Sequence, residues 1–338
     1  MSPRPKIDPV VWQPPVLSRS DRRPRGSLPP LTVFNLHGCG PEDVVVDEDG
    51  QLFTGVEGGR ILRIAPDGLR IDTVADTGGR PLGIELYPDG RLLVCDNHRG
   101  LLAVDPVHGS VETLVARGAH DLRFCNNAAV AADGTVFFSD STQRVDVEHW
   151  KADLLEHAGT GRLLRRNPDG EVDVLLDRLH FANGVALAPD ESFLVVAQTG
   201  LYRLDRLWLT GERAGSREVF ADNLPGFPDN MSTGSDGLLW VALANPRNQL
   251  LDRVSPWHPG LRRLIWALPE ILQPQARKTI WVRALDLTGA VVHEFYGTGT
   301  EFFMSTGVRE RAGTVYLGSL RAGTVATLTV PTTAPATG

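Results

Sequence analysis

The chain has 338 residues, 42% of them apolar and 22% charged, with a net charge of −7. This is the composition of an ordinary globular protein, long enough to build a large core without disulfide staples. The acidic balance excludes nucleic-acid binding, which needs a concentrated basic face, and no segment approaches the roughly 18 consecutive apolar residues of a membrane helix.

Residues 1–30 are rich in proline and arginine and read as an N-terminal arm. Its basic run, Arg22, Arg23 and Arg25 with Pro24 and Pro29, is expected to be solvated. Nothing in it resembles the apolar core of a signal peptide. Three cysteines, Cys39, Cys95 and Cys125, are too few and odd in number for a secreted disulfide framework. The chain therefore reads as cytoplasmic with reduced thiols. Cys39 and Cys125 lie near the polar motifs described below but read as small buried hydrophobes, since no neighbour supplies the base a reactive thiol needs.

From residue 31 a unit recurs: an alternating apolar run, an Asp-Gly turn or its equivalent, and a second apolar run. It spans Val44 to Phe53 around Asp49-Gly50, and Ile84 to Val94 around Asp89-Gly90. It returns at Ala128 to Phe138 around Asp133-Gly134, and at Val185 to Val196 around Pro189-Asp190. Two more copies surround Asp236-Gly237 and Ala312-Gly313. Asp-Gly between alternating strands marks a hairpin, because glycine supplies the positive φ of a tight turn. A second element follows most hairpins, as in Gly59 to Ile64 with Asp67-Gly68, and Gly161 to Arg165 with Asp169-Gly170. Each unit is then about four strands in roughly 40–50 residues, the size of a propeller blade. The predicted fold is all-β: a six-bladed β-propeller over residues 31–330 with small helical insertions and a flexible tail at 331–338. The strand Leu31 to Leu36, which has no hairpin partner, is expected to close the ring against Thr314 to Val330. A β-sandwich would give no reason for six similar units.

Two insertions, 141–160 and 246–278, carry apolar residues at helical spacing: Trp150, Leu154 and Leu155 in one, Leu261, Leu264, Ile265 and Leu268 in the other. Such insertions usually fall on one face of a repeat scaffold. A cap over the channel mouth and simple packing on the rim are both consistent with these stripes.

Where the innermost strand of four units begins, polar residues interrupt apolar surroundings: Glu42-Asp43, Asn126-Asn127, Asn183-Gly184 and Asp229-Asn230. Innermost strands line a propeller's axis, so equivalent positions converge. Two carboxylates and several amide oxygens make an all-oxygen site, the preference of a hard cation, and Ca²⁺ tolerates irregular geometry. The expected metal ligands are Glu42, Asn126, Asn183, Asp229 and Asn230. No His or Cys recurs at these positions, which argues against zinc.

These motifs carry a resemblance. Gly40-Pro41-Glu42, Phe181-Ala182-Asn183-Gly184-Val185-Ala186-Leu187 followed by Pro189-Asp190, and Leu224-Pro225-Gly226-Phe227-Pro228-Asp229-Asn230 are similar to strictosidine synthase-like proteins. These are related in turn to paraoxonases and to gluconolactonases of the senescence-marker type. The resemblance runs from about Leu31 to Val330. It implies a catalytic calcium on the five residues just named, and a second, structural ion using Asp43. That second site calls for an aspartate where this chain has Asn127.

The reaction the resemblance implies is hydrolysis of a small-molecule lactone or ester, including aryl esters, with the metal stabilising an oxyanion. Paraoxonases place a histidine where this chain has Leu82, so His180 or His120 would have to act as the general base, or Asp229 itself, as in gluconolactonase-like sites. Amine–aldehyde condensation of the strictosidine synthase kind would need a glutamate near Glu301, whose local motif does not match. A small-molecule-binding propeller without turnover is the third reading.

Overall fold

The structure, a computed structural model, describes residues 4–18 and 24–331. It contains six four-stranded antiparallel sheets, each a blade of one propeller. In chain order, the blades span residues 44–76 (I), 81–116 (II), 125–179 (III), 182–221 (IV), 226–298 (V) and 305–329 (VI). Blade VI takes its fourth, outermost strand from the other end of the chain. Thr32–Asn35 pairs with Thr324–Thr329, Thr32 opposite Thr327 and Asn35 opposite Thr324. The ring closure expected from sequence is present.

The hairpins form where the turn chemistry placed them. Gly50, Gly90, Gly134, Gly237 and Gly313 all adopt positive φ. At the Pro189-Asp190 turn no glycine is available, and Glu191 takes φ 55° instead.

The core is divided between blades rather than within them. One apolar cluster joins Val45, Phe53 and Ile61 of blade I to Ile84, Leu92 and Val94 of blade II. A second joins Leu93, Cys95 and Leu101 of blade II to Ala128, Val136 and Phe138 of blade III. Equivalent clusters seal blades III–IV, IV–V and V–VI, and Val44, Leu52 and Leu62 meet Val325 across the closure. A lone four-stranded sheet would leave both faces wet, so stability is a property of the closed ring. Cys125 is buried in this core as expected, whereas Cys39 is exposed. Cys39 lies on the turn after the closing strand, outside any blade interface, which corrects the buried reading for it.

The insertions form a cap. Helix α1 (Trp150–Glu156) comes from the first, and α2 (Gln249–Val254) and α3 (Gly260–Ala267) from the second. The N-terminal arm also differs from expectation over residues 4–18: it is docked rather than solvated. Ile7 packs with Val145, Ala152 and Trp266, and Trp12 stacks on His157 at 4.0 Å between ring centres. Arg262 of α3, 0% exposed, donates to the carbonyls of Leu155 and Val10 at 2.9 and 2.6 Å. One buried guanidinium thus ties both insertions to the arm. Arg22 and Arg23 of the basic run, and the tail beyond Pro331, lie outside the described residues. Among the described residues, no helix is long and apolar enough to cross a membrane.

Candidate metal centre

Pairing registers align the six innermost strands, because Val44, Ile84, Ala128, Val185, Met231 and Val308 occupy one ladder position. The two residues before each then form two rings around the axis. The first ring is Glu42, Leu82, Asn126, Asn183, Asp229 and Thr306. The second, one residue deeper, is Asp43, Gly83, Asn127, Gly184, Asn230 and Gly307. In blades II to VI the ladder slips just ahead of the aligned position. Such bulges twist a strand locally and re-aim its side chains.

The second ring alternates a polar side chain with a glycine, for a steric reason. A Cβ on Gly83 would sit 2.7 Å from Cα of Asn127, one on Gly184 would sit 2.4 Å from the Asp229 carbonyl oxygen, and one on Gly307 would sit 2.7 Å from Asp43 Oδ1. Each glycine makes room for the polar residue of the next blade round the ring. The sequence shows these glycines, but only the register shows why they alternate.

Glu42, Asn126, Asn183 and Asp229 line the floor of a cavity of about 410 Å³. Asn230 is fully buried beneath them and donates from Nδ2 to Glu42 Oε2 at 2.9 Å. The amide nitrogens of the other two asparagines are held from behind: Asn126 Nδ2 donates to Ser141 Oγ at 2.8 Å, and Asn183 Nδ2 to Thr199 Oγ1 at 3.2 Å. Ser141 and Thr199 each follow the second strand of their blade, and sequence reading missed both. Their signal is a hydroxyl one residue past an apolar strand, easily taken for a turn former. With the nitrogens engaged, the Oδ1 atoms of Asn126, Asn183 and Asn230 are left buried without a partner. Unsatisfied buried acceptors of this kind are costly, and three on adjacent blades within the two rings need an explanation. A hard cation supplies one, and the donor set fits it: three neutral amide oxygens and two carboxylates.

The carboxylates carry the same message. Burial first, then the charge of Asp229, raises the Glu42 pKa to about 8. Burial, and then Asp43, raises Asp229 to about 8, against the pull of the Asn183 amide. Both keep their protons in the metal-free fold to about pH 8, while the unfolded chain releases them near about pH 4. The stability they allow is therefore complete below about pH 4 and is lost as pH rises through about 8. The melting temperature of metal-free protein is expected to fall between pH 5 and 8, with millimolar Ca²⁺ restoring most of the loss. A profile unmoved by calcium would remove the centre from the fold's energetics.

The walls include a continuous apolar cluster. Leu82, Phe124 and Phe181 form a cluster with Trp150 and Leu154 of α1 and with Leu320, and Leu250, Leu251 and Ile265 of the cap join the lining, which also takes in polar residues such as Lys151, Arg247, Gln249 and Arg277. The insertions thus both pack on the rim and roof the cavity. Leu82 is part of the apolar wall. Neither His120 nor His180 lines the cavity. His120 is exposed on an outer loop. The His180 ring lies 4.2 Å from that of His157, tilted by 34°, with burial and then Arg203 lowering its pKa to about 4. Placing the general base on either histidine therefore has no support from this geometry. Glu301 is likewise exposed, outside the cavity lining.

Comparison with known proteins agrees with this architecture. A family model described as SMP-30/gluconolactonase/LRE-like region matches residues 41–269. The adipocyte plasma membrane-associated protein of Salmo salar is 35% identical, over 83% of this chain and 73% of its own length. Strictosidine synthase-like 10 of Arabidopsis thaliana is 33% identical, over 84% and 78%. Among solved structures, a gluconolactonase from Xanthomonas campestris superposes with a TM-score of 0.65 at 19% identity, covering 98% of both chains. A calcium-binding protein, regucalcin, from Agrobacterium tumefaciens gives 0.59 at 15%, covering 87% of this chain and 94% of that one. The two structural likenesses speak for the fold, and the family match and sequence identities place the protein: this chain belongs to the SMP-30/gluconolactonase family, with strictosidine synthase-like proteins among its relatives.

Proposed function

We propose that the protein is a Ca²⁺-dependent hydrolase that opens a lactone or ester of a small molecule in the capped cavity. The observation that carries this reading is the floor: three partnerless amide oxygens and two carboxylates beneath apolar walls. Glu42, Asn126, Asn183, Asp229 and Asn230 would hold the ion. The chemistry a divalent cation supplies when bound in such a site is polarisation of a carbonyl oxygen.

The chain's own residues do the rest. The aromatic and aliphatic walls take the apolar part of the substrate, and the cap limits water at the floor, which strengthens electrostatic interactions there. With no histidine in the lining, the proton of the attacking water falls to a carboxylate oxygen of Asp229. A proton acceptor positioned within the site typically contributes 10²–10⁴-fold. Family membership supports a lactonase-type reaction, and the apolar lining favours esters and lactones with aryl or alkyl substituents.

The test is a panel of aryl esters and lactones assayed after chelator treatment and again after Ca²⁺ is restored. Turnover that vanishes and returns is expected. If no member of the panel turns over while the metal is bound, the cavity is a binding site and the hydrolase reading fails.

A further inference from the structure

The paraoxonase-like pattern gives the acid after the glutamate, here Asp43, to a second ion, and the lower channel does not fit one. Asn127 is already spent: its Nδ2 donates to Asp43 Oδ2 at 3.0 Å and its Oδ1 accepts from the Val185 amide at 2.9 Å. Asp43 Oδ2 also receives the Ile84 amide at 3.3 Å. The amide that meets this acid keeps no free oxygen, in contrast to Asn126, Asn183 and Asn230.

A cation is present there nonetheless, covalently attached. Glu85 and Arg309 each follow a glycine of the second ring by two residues, so they share its side of the strand and face the axis. They belong to blades II and VI, which flank the blade that carries Asp43. Arg309 Nη2 donates to Glu85 Oε1, and both side chains are only 14% exposed. Burial pulls the guanidinium pKa down, but Glu85 and Asp43 more than offset it and hold the group above its ordinary value. Asp43 itself is held well above its ordinary carboxylate range, by burial first and then by Glu42, and Arg309 is the largest influence drawing it back down. Gly307, two residues before Arg309 on the same strand, makes room for Asp43 Oδ1.

We propose that the Arg309 guanidinium is the resident cation of the lower channel, balancing Asp43 and Glu85 in place of a second metal ion. The channel then holds one exchangeable cation at the floor of the cavity and one fixed cation beneath it. Reversing the arrangement needs more than Asn127→Asp, because the arginine already fills the charge requirement.

Two measurements on the full chain test this. Calorimetric titration with Ca²⁺, checked by elemental analysis of the dialysed protein, is expected to give one ion per chain. Two ions, the second lost in Asp43→Asn, would overturn the proposal. No ion at all would sink the metal centre above while leaving the lower channel as described. The second measurement is a melting series. Arg309→Met leaves two carboxylates without their cation and should lower the melting temperature by on the order of 5 °C. Arg309→Met with Glu85→Gln removes the imbalance and should recover most of that loss. If the double variant melts as low as the single one, or if Arg309→Met melts like the parent, the guanidinium is not acting as the cation.

Discussion

Asp229→Asn is expected to abolish the calcium response of the melting temperature and to lower kcat/KM for any ester or lactone substrate by at least about 10³-fold. The change keeps the shape of the side chain but takes one of only two charges from the floor, and the remaining donors, Glu42 apart, are neutral amides. It also removes the group assigned the proton of the attacking water, a loss that alone costs about 10²–10⁴-fold, on top of weakened stabilisation of developing charge. The stability of the metal-free protein should move the other way. The metal-free fold keeps Asp229 protonated to about pH 8 although the unfolded chain releases that proton, so an amide there removes the cost and should raise the metal-free melting temperature at pH 7. His180→Ala, outside the lining, should leave kcat/KM within a few-fold of the parent at saturating calcium. If His180→Ala is the more damaging change, the centre is structural and the chemistry lies with histidine.

Gly184→Ala should be the most disruptive single-methyl change in the channel. Its Cβ would stand 2.4 Å from the Asp229 carbonyl oxygen, 2.4 Å from the Met231 nitrogen and 2.7 Å from the Asn230 carbonyl carbon. All three are backbone atoms of blade V, so no rotamer change relieves the clash and the strand bearing Asp229 and Asn230 must shift. Overpacking of this kind costs about 1–3 kcal/mol, occasionally more, or roughly 5 °C in a domain of this size. Calcium affinity should fall by at least about 100-fold, since two ligand positions move together. Gly237→Ala is the control. Gly237 sits at φ 78° in an exposed hairpin turn with nothing within 4 Å of a Cβ. It carries backbone strain of about 1 kcal/mol but should bind calcium like the parent. Equal calcium affinity in the two variants would refute the packing account of the second ring.

Much of this was legible in the sequence, for physical reasons that also set the boundary. A hairpin is a local object, so Asp49-Gly50 or Asp89-Gly90 announces it within ten residues, and six such signals gave the blade count. The polar pairs at Glu42-Asp43 and Asp229-Asn230 were visible because they break an apolar pattern. What stayed hidden depends on contacts between distant segments. Arg309 reads as one surface arginine among many until the ring brings Glu85 and Asp43 beside it. Leu82 reads as a missing histidine, but in the fold it belongs to an apolar wall with Phe124 and Phe181. The arm at 4–18 lacks periodicity because its partners, Trp266, Arg262 and His157, lie on the cap, well over a hundred residues away. His180 reads as a base by its nearness in sequence to Asn183, but in the fold it lies beside His157 while Asn183 lines the cavity.

The pairing of Thr32 with Thr327 also sets the order in which the molecule can be made. On the ribosome the closing strand emerges almost three hundred residues before its partner, so the outer edge of blade VI does not exist until residues 324–329 have followed. Until then Thr32–Asn35 has no strand to pair with, an open edge of the kind that pairs with other chains, and blade I lacks Val325 to pack against. Folding dominated by so distant a contact is slow, and the docked arm, which precedes the closing strand, is positioned to settle onto the cap only after both insertions have formed. A chain interrupted before residue 324 would present its candidate metal ligands in an unclosed ring.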